Sequence, residues 1–149
     1  MERNFGNIYK SAREITGLTQ ERWSEYLGIS PDTVRNYESG RTIPDEGVLL
    51  MMADISGMKI LPYWHLSQKS RLASGILPEL DETKGLPEAV LGLLIQIEDF
   101  REDGMKELIR IAADGKISED ERSVFELCLH RLRELIKSAY ALGYAREEP

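Results

Sequence analysis

The stretch from Thr19 to Ser39 constrains this chain more than any other. Thr19 is a good N-cap for a helix that runs to Leu27, and Gly28 then supplies a turn, where a positive φ costs glycine little. Ser30 and Pro31 reopen a helix as its N-cap and first helical position, the places where each is favoured. Ser24 offers a small residue where the second helix must cross the first. Val34 and Tyr37 give that second helix two apolar anchors one turn apart, while Asp32, Thr33, Arg35 and Asn36 leave its remaining face polar. Any one of these features is common. All of them in register predict two short helices packed across a tight turn, the second with a polar face turned outward.

The flanking sequence extends this helical pattern. A first helix is expected from about Asn4 to Thr16, with Ile8, Ala12 and Ile15 on one face and Gly17 as its stop. Another follows Pro44 and carries Val48, Leu49, Met52, Ala53 and Ile55. The aromatic-rich segment from Met58 to Ser70 predicts a fifth, shorter helix. Residues 71–86 hold Ser74-Gly75, Pro78, the acidic run Glu79-Leu80-Asp81-Glu82 and Gly85, which reads as a linker. Two long amphipathic stretches come next. One runs from Pro87 to about Ala113 with Val90, Leu94, Ile97, Met105, Leu108 and Ala112 on a stripe. The other runs from Glu119 to about Leu142 with Val124, Cys128, Leu132, Leu135, Ala139 and Leu142. The spacing is helical and nowhere alternating, so the fold class is all-α. Gly104 inside the first long stretch marks a kink or a close helix crossing. The closing Arg146-Glu147-Glu148-Pro149 is expected to be loose.

Composition narrows the class of protein. The net charge is −7, but its distribution is uneven. Residues 1–71 hold nine Lys+Arg against nine Asp+Glu, whereas residues 72–149 hold ten against seventeen. The first half can present a local basic face, and the acidic second half belongs away from phosphates. No apolar run reaches transmembrane length, and the N-terminal residues lack the apolar stretch of a secretory signal, so a cytoplasmic chain without a membrane partner is expected. The single cysteine, Cys128, sits in an apolar pattern and reads as a reduced packing residue.

The motif of the first paragraph is that of a helix-turn-helix, and over about residues 5–56 it resembles the Cro/C1 (XRE) family of transcriptional regulators. Leu18-Thr19-Gln20, Leu27-Gly28-Ile29-Ser30 and Tyr37-Glu38-Ser39-Gly40-Arg41-Thr42-Ile43-Pro44 carry that resemblance. It implies a five-helix lambda-repressor-like DNA-binding domain over residues 1–70, with the linker 71–86 and an antiparallel helical hairpin over 87–145 behind it. It also implies double-stranded DNA as partner, with the second motif helix in the major groove and the first across the backbone. By position, Gln20 matches a glutamine that clamps a phosphate and supports the reading helix, and Thr19 joins it among the DNA-binding candidates. Asp32, Thr33 and Asn36 match positions that face base edges, and Arg41 matches a phosphate contact. Arg13 and Glu38 match a partly buried ion pair. Two positions depart from the family: Trp23 replaces a smaller aliphatic residue, and Pro31 has no polar side chain with which to read a base. The tail around Ile111-Ala112-Ala113-Asp114-Gly115-Lys116-Ile117 resembles C-terminal regions of prophage-like regulators from Gram-positive bacteria, which assigns no activity.

Side-chain chemistry agrees with these roles and leaves choices open. Asn36 suits a bidentate pair with adenine, and Arg35 suits guanine or a phosphate. Thr33 can touch a thymine methyl or a phosphate. Asp32 fits either the positive end of the helix dipole or the amino group of cytosine. The segment from Asp114 to Glu121 places a glycine and a glutamate at calcium-loop spacing. Arg110 and Ala112 then fall where oxygen ligands belong, so a helix stop followed by a capping box is the better reading. His65 and His130 have no ligand-spaced partners, and no catalytic signature appears, so neither an enzyme nor a cofactor is expected. The hairpin leaves apolar surface that two helices cover poorly. The favoured expectation is a homodimer through residues 87–145 that binds a palindromic operator as a repressor. The alternatives are a tail that senses a small molecule or binds another protein, the latter in the manner of an antitoxin.

Overall fold

The computed structural model describes residues 7–80 and 83–147. Asn4 to Gly6, at the expected start of the first helix, and Glu148 and Pro149 of the closing segment lie outside the described residues, as do Asp81 and Glu82 of the linker. The chain divides into two compact units, Met1–Gly75 and Ile76–Pro149.

The first unit contains α1 (Ile8–Thr16), α2 (Gln20–Leu27), α3 (Pro31–Glu38), α4 (Glu46–Ser56), α5 (Leu61–Lys69) and α6 (Arg71–Ile76), the last running one residue past the boundary. Its caps are local and legible. The Asn7 side chain accepts from the backbone N–H groups of Tyr9 and Lys10. Thr19 accepts from Arg22, Ser30 from Thr33 and Asp45 from Val48, each cap satisfying one of the donors a helix start leaves open. Gly28 closes α2 at φ +66°, a conformation that a side chain would strain.

The core of this unit gathers Tyr9 and Ala12 from α1, Trp23 and Leu27 from α2, Val34 and Tyr37 from α3, Leu49 and Met52 from α4, and Leu61 from α5. Ile15 differs from expectation: it is 63% exposed. Ile8, two turns earlier on nearly the same side at roughly 100° per residue, is buried, so Ile15 is exposed by its place in the last turn of α1 and not by its direction. Ile55 is likewise exposed at the end of α4. Trp23 is fully buried, and its indole N–H finds no acceptor among the described residues.

In the second unit, α7 (Leu86–Asp99) continues through a π-helical turn (Phe100–Gly104) into α8 (Met105–Ile111), and α9 (Glu119–Gly143) returns alongside. Three pairs fix the antiparallel register. Leu86 N–H donates to the Arg146 carbonyl at 2.9 Å, Arg131 meets Asp103 at 3.2 Å, and Arg110 lies 3.6 Å from Glu121. Gly104 is both a bulge and a close crossing. A Cβ placed on it would stand 2.6 Å from the Phe100 ring, and the buried Cys128 thiol lies 3.6 Å from its carbonyl. The extra residue of a π-turn re-aims the helix without breaking it. Gly115, at φ +73°, ends the returning 3₁₀ turn, and Glu121 accepts from the Ser118 N–H and hydroxyl at the start of α9. Among the described residues no strand forms, and no helix is long and apolar enough to cross a membrane.

Candidate nucleic-acid interface

α3 is held from behind and from both ends. Val34 and Tyr37 sink into the core, which directs Asp32, Arg35 and Asn36 to the opposite side of an eight-residue helix. At its C-terminal end, Asn7 donates its side-chain amide to the Tyr37 carbonyl at 2.6 Å, tying α3 to the start of α1. Here one side chain caps one helix and satisfies the open end of another.

Glu38 forms the second anchor. Arg13 donates its Nε to Glu38 Oε1 at 2.6 Å and an Nη to Oε2 at 3.1 Å, a two-pronged contact suited to the planar guanidinium. The same Arg13 donates to the Leu18 carbonyl at 2.8 Å, and Gln20 donates its amide to Glu38 Oε2 at 2.8 Å. Three elements, α1, the start of α2 and the end of α3, thus converge on one carboxylate whose side chain is only 7% exposed. Burial pushes the Glu38 carboxyl up. The hydrogen bonds from Arg13 and Gln20, the Arg13 charge and Lys10 outweigh that burial and hold the group below the ordinary value of 4.5. Its bond to Glu38 raises the Arg13 guanidinium further.

That shift has a pH consequence. The folded chain holds the Glu38 proton less readily than the unfolded chain, so this cluster's stabilisation is complete above pH 4.5. It is lost as pH falls below that value through the lowered one. Denaturant midpoints of the full chain should therefore fall between neutral pH and about pH 3, and Glu38→Gln should flatten part of that slope. Equal acid sensitivity in both proteins would remove Glu38 as a cause.

The outward face has its own electrostatics. Arg35 pairs with Asp32 one turn earlier and lies 3.8 Å from Glu21 on α2. Both pairs are solvent-exposed, so each is weak and readily exchanged for a stronger acceptor. Thr33 sits on the flank of α3, and its hydroxyl lies 2.9 Å from that of Ser30, at the helix start. Asn36 is half-buried on the outward side. Its backbone carbonyl accepts from Arg41 N–H at 3.0 Å and from the Ser39 hydroxyl at 3.2 Å. Arg41 is exposed in the turn that follows, where Gly40 takes φ +74°. Thr19 is exposed as the cap of α2. The structure therefore brings Asp32, Arg35 and Asn36 onto one surface with Arg41 beyond their C-terminal end, and puts Thr33 at its edge. Gln20 spends its amide nitrogen on Glu38.

Sequence reasoning missed three participants. Asn7 could have been found as an Asn directly before the apolar Ile8-Tyr9. Ser39 lies on the outward side of α3 by the same periodicity that places Arg35. Glu21 had no local signal, since its closeness to Arg35 depends on how α2 and α3 cross.

Residues 10–59, a third of the chain, match the family model described as Helix-turn-helix. No curated protein and no solved structure matches the chain. The matched segment spans most of α1 and the whole of α2, α3 and α4, which include every side chain of the Arg13–Gln20–Glu38 cluster. The chain thus carries a helix-turn-helix DNA-binding domain of the Cro/C1 (XRE) type, followed by a helical C-terminal extension.

Proposed function

We propose that this transcription regulator is sequence-specific, reads its operator with α3, and represses by occupying a palindromic site as a dimer. The observation that carries the reading is the division of α3. Val34, Tyr37 and Glu38 are spent on the protein, and Asp32, Arg35 and Asn36 remain on one outward face. In this reading Asn36 and Arg35 meet base edges, Thr33 and Asp32 meet bases or the flanking backbone, and Thr19, Gln20 and Arg41 meet phosphates. On DNA, Arg35 exchanges its exposed carboxylate partners for a guanine edge or a phosphate. Residues 71–86 serve as the connection to the hairpin, residues 87–145 supply the second copy, and the protein works in the cytoplasm without catalysis.

Binding to a duplex should weaken steeply with salt, each neutralised phosphate contributing a slope of about −0.9 in log–log form. Asn36→Ala should cost about 1–3 kcal/mol at one base pair and relax specificity there, measured by competition among single-base variants of the preferred site. A uniform loss across all sequences would assign Asn36 to the backbone, and salt-independent binding would argue against DNA recognition altogether.

A second reading has an observation behind it. The hairpin leaves Leu91, Leu94, Ile95 and Ile109 half-exposed or more, which would also suit a small-molecule effector or another protein, as in an antitoxin. An adjacent toxin-like reading frame would favour that version.

A further inference from the structure

Arg35 is the cation in the middle of the outward face of α3, and two carboxylates flank it. Asp32 pairs with one of its terminal nitrogens from one turn earlier, and Glu21 approaches the other from α2 at 3.8 Å. All three side chains are exposed, Glu21 by 61% and Asp32 by 84%. The neighbouring cations do not balance the second carboxylate. Arg22, next to Glu21 in the chain, is bound to Glu25 at 2.6 Å and lies over the Tyr26 ring. Arg13, whose charge also feels Glu21, is held by Glu38. Arg41 stands beyond the C-terminal end of α3. The centre of the reading face therefore sets one positive charge against two negative ones.

A phosphate and a base make opposite demands on such a group. A phosphate is an anion, and clamping it needs a local excess of positive charge. Drawn to Arg35, it comes within reach of both carboxylates just as the guanidinium leaves them, and like charges repel. The edge of a guanine is neutral. Its N7 and O6 take a two-pronged contact from a guanidinium and bring no new charge. The carboxylate that Arg35 gives up in the exchange finds a donor at the same base pair, because the paired cytosine presents its amino group beside O6. Asp32, the more exposed of the two and on the reading helix itself, is placed to accept from it. An A·T pair offers the reverse: the guanidinium would meet the adenine amino group, and the carboxylate would meet thymine O4.

We infer that Glu21, which lies on α2 outside the reading helix, sets specificity: with Asp32 it denies Arg35 to phosphates and commits it to the guanine of a G·C pair. This rests on the reading of α3 given above and chooses between the two partners that reading leaves to Arg35. Glu21 acts through Arg35 and touches no base, so it is a positioning residue. Its charge lowers affinity for DNA in general and widens the margin between the right site and all others.

The test uses the full chain and a pool of short random-sequence duplexes, with affinity measured across a salt series and the bound fraction sequenced. Glu21→Gln should bind the pool about tenfold tighter at low salt, with a log–log salt slope steeper by about 0.9, the mark of one more phosphate contact. Its enriched motif should lose a G·C pair that the wild type requires. In an Arg35→Ala background, Glu21→Gln should alter neither the slope nor the motif, because the side chain it acts through is gone. Glu21 is exposed and outside the core, so the variant should keep its helical circular dichroism. A slope and a motif that Glu21→Gln leaves as they are, or a steepening that persists without Arg35, would overturn this role and leave the reading of α3 standing. A wild type that enriches no motif would overturn both.

Discussion

Glu38→Ala should cost the DNA-binding unit about 3–5 kcal/mol, because it leaves the buried Arg13 guanidinium without its carboxylate. The Arg13 side chain is 13% exposed, too little for water to replace two charge-assisted hydrogen bonds. Gln20 loses its acceptor in the same step. The damage should be larger than that of Arg13→Ala or Gln20→Ala taken singly, since Glu38 is the group on which the other two converge. Urea unfolding of the full chain measures it, followed by the fluorescence of Trp23 and Trp64, both of which belong to this unit. A loss below about 1 kcal/mol would show the cluster to be solvated and weak, like an ordinary surface pair. The functional consequence follows from the geometry. Glu38 is the last residue of α3, so releasing it frees the end of the reading helix, and DNA affinity should fall together with stability.

Trp23→Ala carries the other large expected effect. The side chain is fully buried in the core of the first unit, and truncating so large a group should cost about 3–5 kcal/mol through lost burial and an unfilled cavity. Trp23→Phe separates volume from polarity. Phenylalanine removes some packing and also removes an indole N–H that lacks an acceptor among the described residues. Because the two changes oppose one another, Trp23→Phe should stay within about 1.5 kcal/mol of wild type. Thermal and urea unfolding of both variants, monitored by circular dichroism, check this pair. If Trp23→Phe were as damaging as Trp23→Ala, the indole N–H would have a partner that matters.

Much of the fold was legible in local chemistry. Thr19, Gly28, Ser30 and Pro31 each act within a turn of their own position, so the bounds of α2 and α3 follow from caps and stops alone. Val34 and Tyr37 betray the buried side of α3 by spacing. The misread positions are those that local spacing does not decide. Ile15 has the right periodicity for the core, on the same side as the buried Ile8, and lies beyond its edge in the last turn of α1. The long helix expected over 87–113 passes through a π-turn, at which Gly104 alone hinted; the Phe100 ring packs over that glycine. On the candidate interface, Arg13 and Glu38 stand 25 positions apart, and no periodicity joins them. Family resemblance alone set them side by side. The pairing of Arg35 with Asp32 was open to inspection as an i, i+3 contact, whereas its approach to Glu21 depends on the crossing of two helices.

These observations meet on α3. Its buried side chains set where it stands, its two anchors set how firmly, and its exposed side chains are what DNA can encounter. Selection from a pool of random duplexes by the full-length protein, with the bound fraction sequenced over several rounds, tests this most directly. The account predicts one enriched motif with two-fold symmetry, and loss of discrimination at one position of each half-site for Asn36→Ala. A pool that stays random, or a motif that Asn36→Ala and Arg35→Ala leave unchanged, would contradict it.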